Sequence, residues 1–275
     1  METEIMQLDE LKRIEFELLV ELDRICVKYG LKYSLAYGTL LGAVRHHGFI
    51  PWDDDIDVMM SRPDYYKFLE AVENECADRP YKVVSMHTDD DFFAPLAKFT
   101  DTRTRVYQTY GQIEKVPYGV YVDLFILDGL PEEGKEEHYK EAEKLRFKWG
   151  MACRKIFAKH RSKSFLRDVG GSIYSIPYKI LGYKHYRNKY DRHCSSVDYN
   201  TAKNIAVVEF GENLKKEMMD KADMEELSTV EFEGRAFSAV RSPEKYLTRM
   251  YGDYMQLPPE SQRVPKHNSK VVRIE

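Results

Sequence analysis

The sequence predicts an α+β fold: a mixed β-sheet core flanked by helices, with a basic, mainly helical lobe inserted into it. Two observations lead there. Amphipathic helical runs interleave with short strand-like runs over residues 1–131, the alternation expected of a sheet covered by helices. From 144 to 192 the chain then turns basic and tyrosine-rich, with 14 Lys/Arg against only Asp168 and Asp191. The expected organisation is a core over 1–131, an inserted lobe over 132–200 and a C-terminal segment, 201–275, that packs back on the core.

Leu8, Leu11, Leu18, Leu22 and Ile25 recur at three- and four-residue steps and predict a first helix that ends near Tyr29, with Gly30 as its stop signal. Polar/apolar alternation predicts a strand over 32–37; Gly38 permits a tight exit, and Thr39 can cap a short helix running to about His46. Asp55 and Asp57 lead into the apolar run 56–60, read as the next strand, and Pro63 starts a helix to about Asp78. Further strands are expected at 81–86, 96–100, 104–110 and 119–127. Residues 132–159 read as helical and charged, while Gly170-Gly171 and Pro177 are expected to interrupt any long helix beyond them. After Asn204 come short strand-like pieces, a glycine turn at Gly234, a helix over 243–251 and a proline-rich turn.

At 275 residues and a net charge of −4 the chain has room for a full core and no overall nucleic-acid signature, so no nucleic acid is expected as partner. Cys26, Cys76, Cys153 and Cys194 lack the paired spacing of a zinc site or a disulfide scaffold. The acidic start has neither the basic beginning nor the apolar centre of a secretory signal, and no apolar run approaches membrane-spanning length. A reducing cytoplasm is the expected location.

Chemistry concentrates between residues 37 and 57. A glycine exit from a strand into a helix start attracts phosphate. On a strand, Asp55 and Asp57 would point to one face with Cα atoms about 6.5 Å apart, and two carboxylates with phosphate oxygens make a Mg²⁺ or Mn²⁺ site. Either Asp53 or Asp54 could reach the ion, one of them being expected to bond backbone around the Pro51-Trp52 turn; Asp53, which shares the parity of Asp55 and Asp57, is the better further ligand. Asp123 is the single acid of the apolar run 120–125, a costly position that points to a proton acceptor or a further metal ligand. Arg45, His46, His47 and Lys98 are candidate phosphate contacts, and Trp52 is a candidate aromatic contact for a cationic donor group. Asp53, Asp55 and Asp57 fit the first positions of a calcium loop, but Val58 stands where that loop needs glycine and Asp64 where it needs glutamate.

The run from Gly38 to Asp57, Gly-Thr-Leu-Leu-Gly-Ala-Val-Arg-His-His-Gly-Phe-Ile-Pro-Trp-Asp-Asp-Asp-Ile-Asp, closely resembles the signature of the LicD family of phosphocholine transferases, relatives of fukutin and the fukutin-related protein. The resemblance continues through Ala97-Lys98-Phe99, Tyr121-Val122-Asp123-Leu124-Phe125, Phe232-Glu233-Gly234, Tyr251-Gly252-Asp253-Tyr254-Met255 and Leu257-Pro258-Pro259, and is weakest over 132–200. It implies a nucleotidyltransferase-type core and transfer of a phospho-alcohol from a CDP-activated donor, typically CDP-choline, to a glycan hydroxyl of the teichoic acid or lipopolysaccharide type. It also implies a proton-accepting role for Asp123, and Arg263 and His267 match the family's C-terminal region. An Asp-x-Asp metal-dependent glycosyltransferase using a nucleotide sugar is the rival enzyme; a noncatalytic nucleotide-binding relative is the rival outside enzymes. The basic lobe, with Arg154, Lys155, Lys159 and Arg161 near its middle, is expected to meet an anionic surface such as the inner face of the membrane, where lipid-linked acceptors would lie.

Overall fold

The computed structural model describes residues 5–108, 116–153, 165–209, 213–264 and 269–274. Helix α1 (Leu8–Tyr29) buries Ile14, Leu18, Leu22 and Ile25, and Gly30 closes it in a left-handed conformation with its N–H on the carbonyls of Cys26 and Val27. There follow β1 (Tyr33–Leu35), α2 (Tyr37–His46), β2 (Asp57–Ser61) and α3 (Arg62–Glu75). Ser61 caps α3, its hydroxyl accepting from the Asp64 N–H at 3.1 Å, and Pro63 stands in the first turn, where its missing N–H costs nothing. The sheet continues with β3 (Tyr81–Val84), β4 (Ala97–Asp101), β5 (Thr104–Gln108) and β6 (Tyr121–Gly129).

The main sheet has the order β1-β2-β6-β4-β3, in which only β2 and β6 run parallel. Val122, Leu124 and Ile126 are buried along β6, which reads as a continuous apolar run because helices and loops cover both of its faces. Its edge away from β2 is shared: β4 pairs with residues 121–124 and, beyond the lobe, β7 (Asn204–Val207) pairs antiparallel with residues 127–129. The lobe comprises α4 (Lys135–Cys153), α5 (Phe165–Leu181) and α6 (Tyr183–Cys194), with α4 and α6 closing a second small core around Leu145, Trp149, Tyr190 and Cys194.

The C-terminal part holds α7 (Leu214–Glu217), β8 (Met219–Asp220), α8 (Ala222–Glu225), the hairpin of β9 (Ser228–Phe232) and β10 (Arg235–Ala239), α9 (Pro243–Tyr251) and β11 (Ser269–Arg273). The α+β class with a mixed sheet flanked by helices is thus the observed one.

Local expectations needed three corrections. The strand expected over 104–110 is β5, which leaves the main sheet and pairs with β11 in a separate ribbon; its partner lies some 160 residues away in the chain, beyond any local pattern. Helix α5 runs through Gly170, Gly171 and Pro177 without a break. Pro177 forfeits only the bond to the Ile173 carbonyl, and Ile173 is exposed, so water can replace it. Finally, β2 begins at Asp57 and not at Asp55, so the two acids do not share one strand.

Candidate functional site

The site is built where α2, β2 and β6 meet. The Ala36 N–H donates to the Asp57 carbonyl at 3.0 Å, the Asp57 N–H to the Thr39 hydroxyl at 2.8 Å, and the Asp123 N–H to the Ile56 carbonyl at 2.8 Å. Thr39 is therefore not the helix cap: α2 starts two residues earlier after Ala36, and the Thr39 hydroxyl instead clamps the start of β2 against the first turn of the helix. The early start rests on Tyr37, which takes a left-handed φ of 43° and is anchored by its hydroxyl donating to Glu217 at 2.7 Å.

Register aligns the chemistry across three strands. Asp57 stands opposite Asp123, and Asp123 opposite Lys98 on β4. The Lys98 ammonium is buried, donates to Asp123 Oδ1 at 2.5 Å and lies 3.5 Å from the centre of the Tyr121 ring. Burial first, then the charges of Asp55 and Asp123, push the Asp57 carboxyl well above the usual carboxylate range. Asp53, Asp54 and Asp55 gather just before β2, each offering an oxygen within 4.8 Å of the others. Gly38 makes this approach possible, since a β-carbon there would stand 2.7 Å from Asp53 Oδ2. Gly42 does the same for the return of the loop, as a β-carbon would meet the Gly48 carbonyl at 2.5 Å.

Beside the acids opens a cleft of about 540 Å³ whose walls include Gly38, Arg45, Trp52, Asp53, Tyr251 and Tyr254. Arg45 donates to the Tyr254 carbonyl at 2.7 Å and to His46 Nε2 at 3.0 Å, while His46 meets Trp52 edge-on with ring centres 6.4 Å apart. The Arg263 guanidinium lies 5.7 Å from the Trp52 ring, so this residue of the C-terminal segment does come to the cleft. His47 serves as the left-handed cap of α2, its N–H on the Ala43 carbonyl, and its side chain is exposed. His267, together with Arg154, Lys155, Lys159 and Arg161 of the lobe, lies outside the described residues.

The structure adds residues that sequence reasoning missed. Tyr251 and Tyr254 stand in a run that resembles the family, but their place on the cleft wall comes only from tertiary packing. Glu15, buried on α1, faces the acidic loop; burial first, then Asp55 and Asp54, push its carboxyl well up. Its signal was present in the sequence, since Glu15 is four residues from Leu11 and three from Leu18 on the apolar stripe.

The carboxylates that converge, Asp53, Asp54 and Asp55, are hard-oxygen donors that suit a small divalent cation, and Asp57 lies close enough to feel the charges of Asp55, Asp123 and Asp53. A second grouping, His87, Asp191 and Glu209, also converges within 4.8 Å. Arg62 already fills it, bonding Asp128 at 2.5 and 2.8 Å, Glu209 at 2.9 Å and Asp191 at 3.0 Å, so this is a buried ion network joining α3 and β6 to the lobe.

The model of the LicD/FKTN/FKRP nucleotidyltransferase domain matches residues 30–126. The chain is 33% identical over 258 residues to the lipopolysaccharide cholinephosphotransferase LicD of Haemophilus influenzae, covering 88% of this chain and 89% of that one. A shorter stretch of 57 residues, 21% of this chain and 18% of the other, is 42% identical to an uncharacterized protein of Rickettsia typhi. With the signature run wrapped around the acids, the mixed sheet beneath them and a relative matched nearly end to end, the chain belongs to the LicD family and is a phosphotransferase of that type.

Proposed function

We propose that this protein transfers phosphocholine from CDP-choline, or a related phospho-alcohol from its CDP donor, to a hydroxyl of a cell-surface glycan precursor of the lipopolysaccharide or teichoic acid type. The observation that supports it most is the row Asp57, Asp123, Lys98 set across three strands against the first turn of α2, with the cleft alongside. Asp55 and Asp57, with Asp53 as a further candidate, would hold a Mg²⁺ or Mn²⁺ ion, whose charge offsets that of the phosphoryl group in transfer and of the departing CMP.

The protein's own groups do the rest. Gly38 and Thr39 open the helix start to an anion, and Arg45 places a fixed positive charge on the cleft wall for the donor phosphates. Asp123 takes the acceptor proton as the acceptor oxygen bonds to the distal phosphorus of the donor and the bond to CMP breaks. Lys98 orients Asp123 through their buried pair. Trp52, with Tyr251 and Tyr254 in the same cleft, offers aromatic faces for a quaternary ammonium.

No helix among the described residues is long and apolar enough to cross a membrane. The lobe instead offers a surface: Ile173, Ile176 and Ile180 recur at helical spacing on α5 and are exposed, Ile180 to 80%, with Phe147 and Tyr174 exposed beside them. An apolar stripe within a region of 14 basic residues fits peripheral docking on the anionic inner face of the cytoplasmic membrane, where a lipid-linked acceptor would be met.

The test of the chemistry needs no acceptor identity. Purified protein with Mg²⁺ is incubated with a panel of CDP-alcohols and nucleotide sugars, and the nucleotide released is measured. CMP from CDP-choline is expected; UDP from a UDP-sugar, without CMP, would overturn the reading in favour of the Asp-x-Asp glycosyltransferase.

A further inference from the structure

The run Phe232-Glu233-Gly234 forms the tip of the β9–β10 hairpin. Phe232 pairs with Arg235, so Glu233 and Gly234 are a two-residue turn, with φ of 50° and 74°. A turn with positive φ at both central residues favours asparagine, aspartate or glycine at the first; a glutamate there is strained. A strained residue that persists where a better-suited one exists points to a role for its side chain. Here the Phe49 N–H donates to Glu233 Oε1 at 3.0 Å, and the Glu233 N–H donates to the His47 carbonyl at 2.9 Å. The hairpin tip thus brackets Gly48. A β-carbon on Gly48 would stand 2.2 Å from Glu233 Oε1, and the three heavy atoms nearest to it all belong to Glu233. Alongside, the buried Phe232 ring packs against Phe49 with centres 4.9 Å apart. The next two residues are held from α1, where Lys12 Nζ donates to the carbonyls of Ile50 at 3.1 Å and Pro51 at 3.0 Å. The Ile50 carbonyl also accepts from the Asp53 N–H at 2.9 Å. The path of the chain into the acidic turn is therefore set by two elements that are not strands of the main sheet.

We infer that Glu233 is a positioning residue for the proposed reaction: its carboxylate fixes the loop 47–51, and through it the places at which Asp53, Asp54 and Asp55 present their oxygens to a divalent cation. Glu233 touches neither donor nor acceptor and acts through Phe49 and the turn that follows. Its bond to Phe49 faces solvent, so the effect is on the scale of one net hydrogen bond and not of a buried ion pair. This inference rests on the cation-binding part of the proposed function and not on the identity of its donor.

Two variants of the full chain separate the turn from the reach of its side chain. Glu233→Asn suits the left-handed turn better but is one methylene shorter, whereas Glu233→Gln keeps the length and an acceptor oxygen. Tm of the asparagine variant is expected to equal or exceed that of wild type. Its amide hydrogen exchange over 47–53, without metal or donor, is expected to quicken about fivefold, and its affinity for Mn²⁺, read by electron paramagnetic resonance of the free ion, to weaken about fivefold. Glu233→Gln is expected to restore both. Gly48→Ala is expected to reproduce the asparagine variant, because its β-carbon displaces the carboxylate, and to add no further loss when combined with it. Wild-type behaviour of Glu233→Asn, an equal loss in Glu233→Gln, or additive losses in the double variant overturns the inference. Quickened exchange with unchanged Mn²⁺ affinity, or a wild type that binds no Mn²⁺, does so too. The expected pattern in a protein that releases no CMP from any CDP-alcohol would uphold the role of Glu233 and sink the donor reading.

Discussion

Asp123 is the residue on which the proposed chemistry turns, and its surroundings give it a testable character. It pairs with buried Lys98 on one side and stands opposite Asp57 on the other, between a fixed cation and a proposed metal ligand. As a proton acceptor it would act in the chemical step more than in binding. Asp123→Asn is therefore expected to lower CMP release about 10²–10⁴-fold, while calorimetry shows CDP-choline affinity changed by less than about threefold. A loss of affinity matching the loss of rate would make it a metal ligand instead. That Asp123 would be a buried acid in costly surroundings was legible in the sequence, because one acid in an apolar strand is expensive. That Lys98 would be its partner was not, because the neighbour is supplied by another strand.

At the scale of elements, α2 and the loop after it carry the site, and the close approach at Gly38 sets how far the acids can come toward the helix. A β-carbon there would stand 2.7 Å from Asp53 Oδ2, a distance real side chains do not tolerate, so the carboxylate must move. Gly38 has no left-handed φ, so alanine adds no backbone strain and suits the helix. Gly38→Ala is accordingly expected to cut CMP release at least tenfold while Tm, followed by circular dichroism, stays within a few degrees of wild type. Unimpaired turnover would show that the position of Asp53 does not matter to the site. The helix itself was readable beyond Thr39; its true start at Tyr37 was not, since a left-handed tyrosine held by Glu217 and Tyr246 has no local signature.

Over the whole molecule the charge is divided unevenly: residues 144–192 carry 14 Lys/Arg against two acids, and the rest of the chain is net negative. The buried network of Arg62 with Asp128, Glu209 and Asp191 ties the two regions together, so a surface that meets the lobe is mechanically linked to the sheet that bears the site. If the lobe docks on anionic lipid, Ile176→Glu with Ile180→Glu is expected to weaken cosedimentation with phosphatidylglycerol vesicles at least tenfold. Wild-type binding should also fall as salt is raised, because basic residues near a charged surface each contribute about 1 kcal/mol that salt screens. Both side chains are exposed, so the fold should be unaffected. Equal sedimentation of wild type and variant would return α5 to ordinary surface.

The sequence by itself determined the α+β class, the short helix after the first strand, the clustered acids and the family, because each is written in local periodicity or in one contiguous run from Gly38 to Asp57. Tertiary structure alone decided which groups meet. The parallel register of β2 and β6 sets Asp57 beside Asp123, antiparallel β4 brings Lys98 to the same row, and the packing of α1 carries Glu15 to Asp54. Strand order and register follow from how the whole apolar surface can be buried at once, and that non-local condition leaves no mark on the residues around any one position.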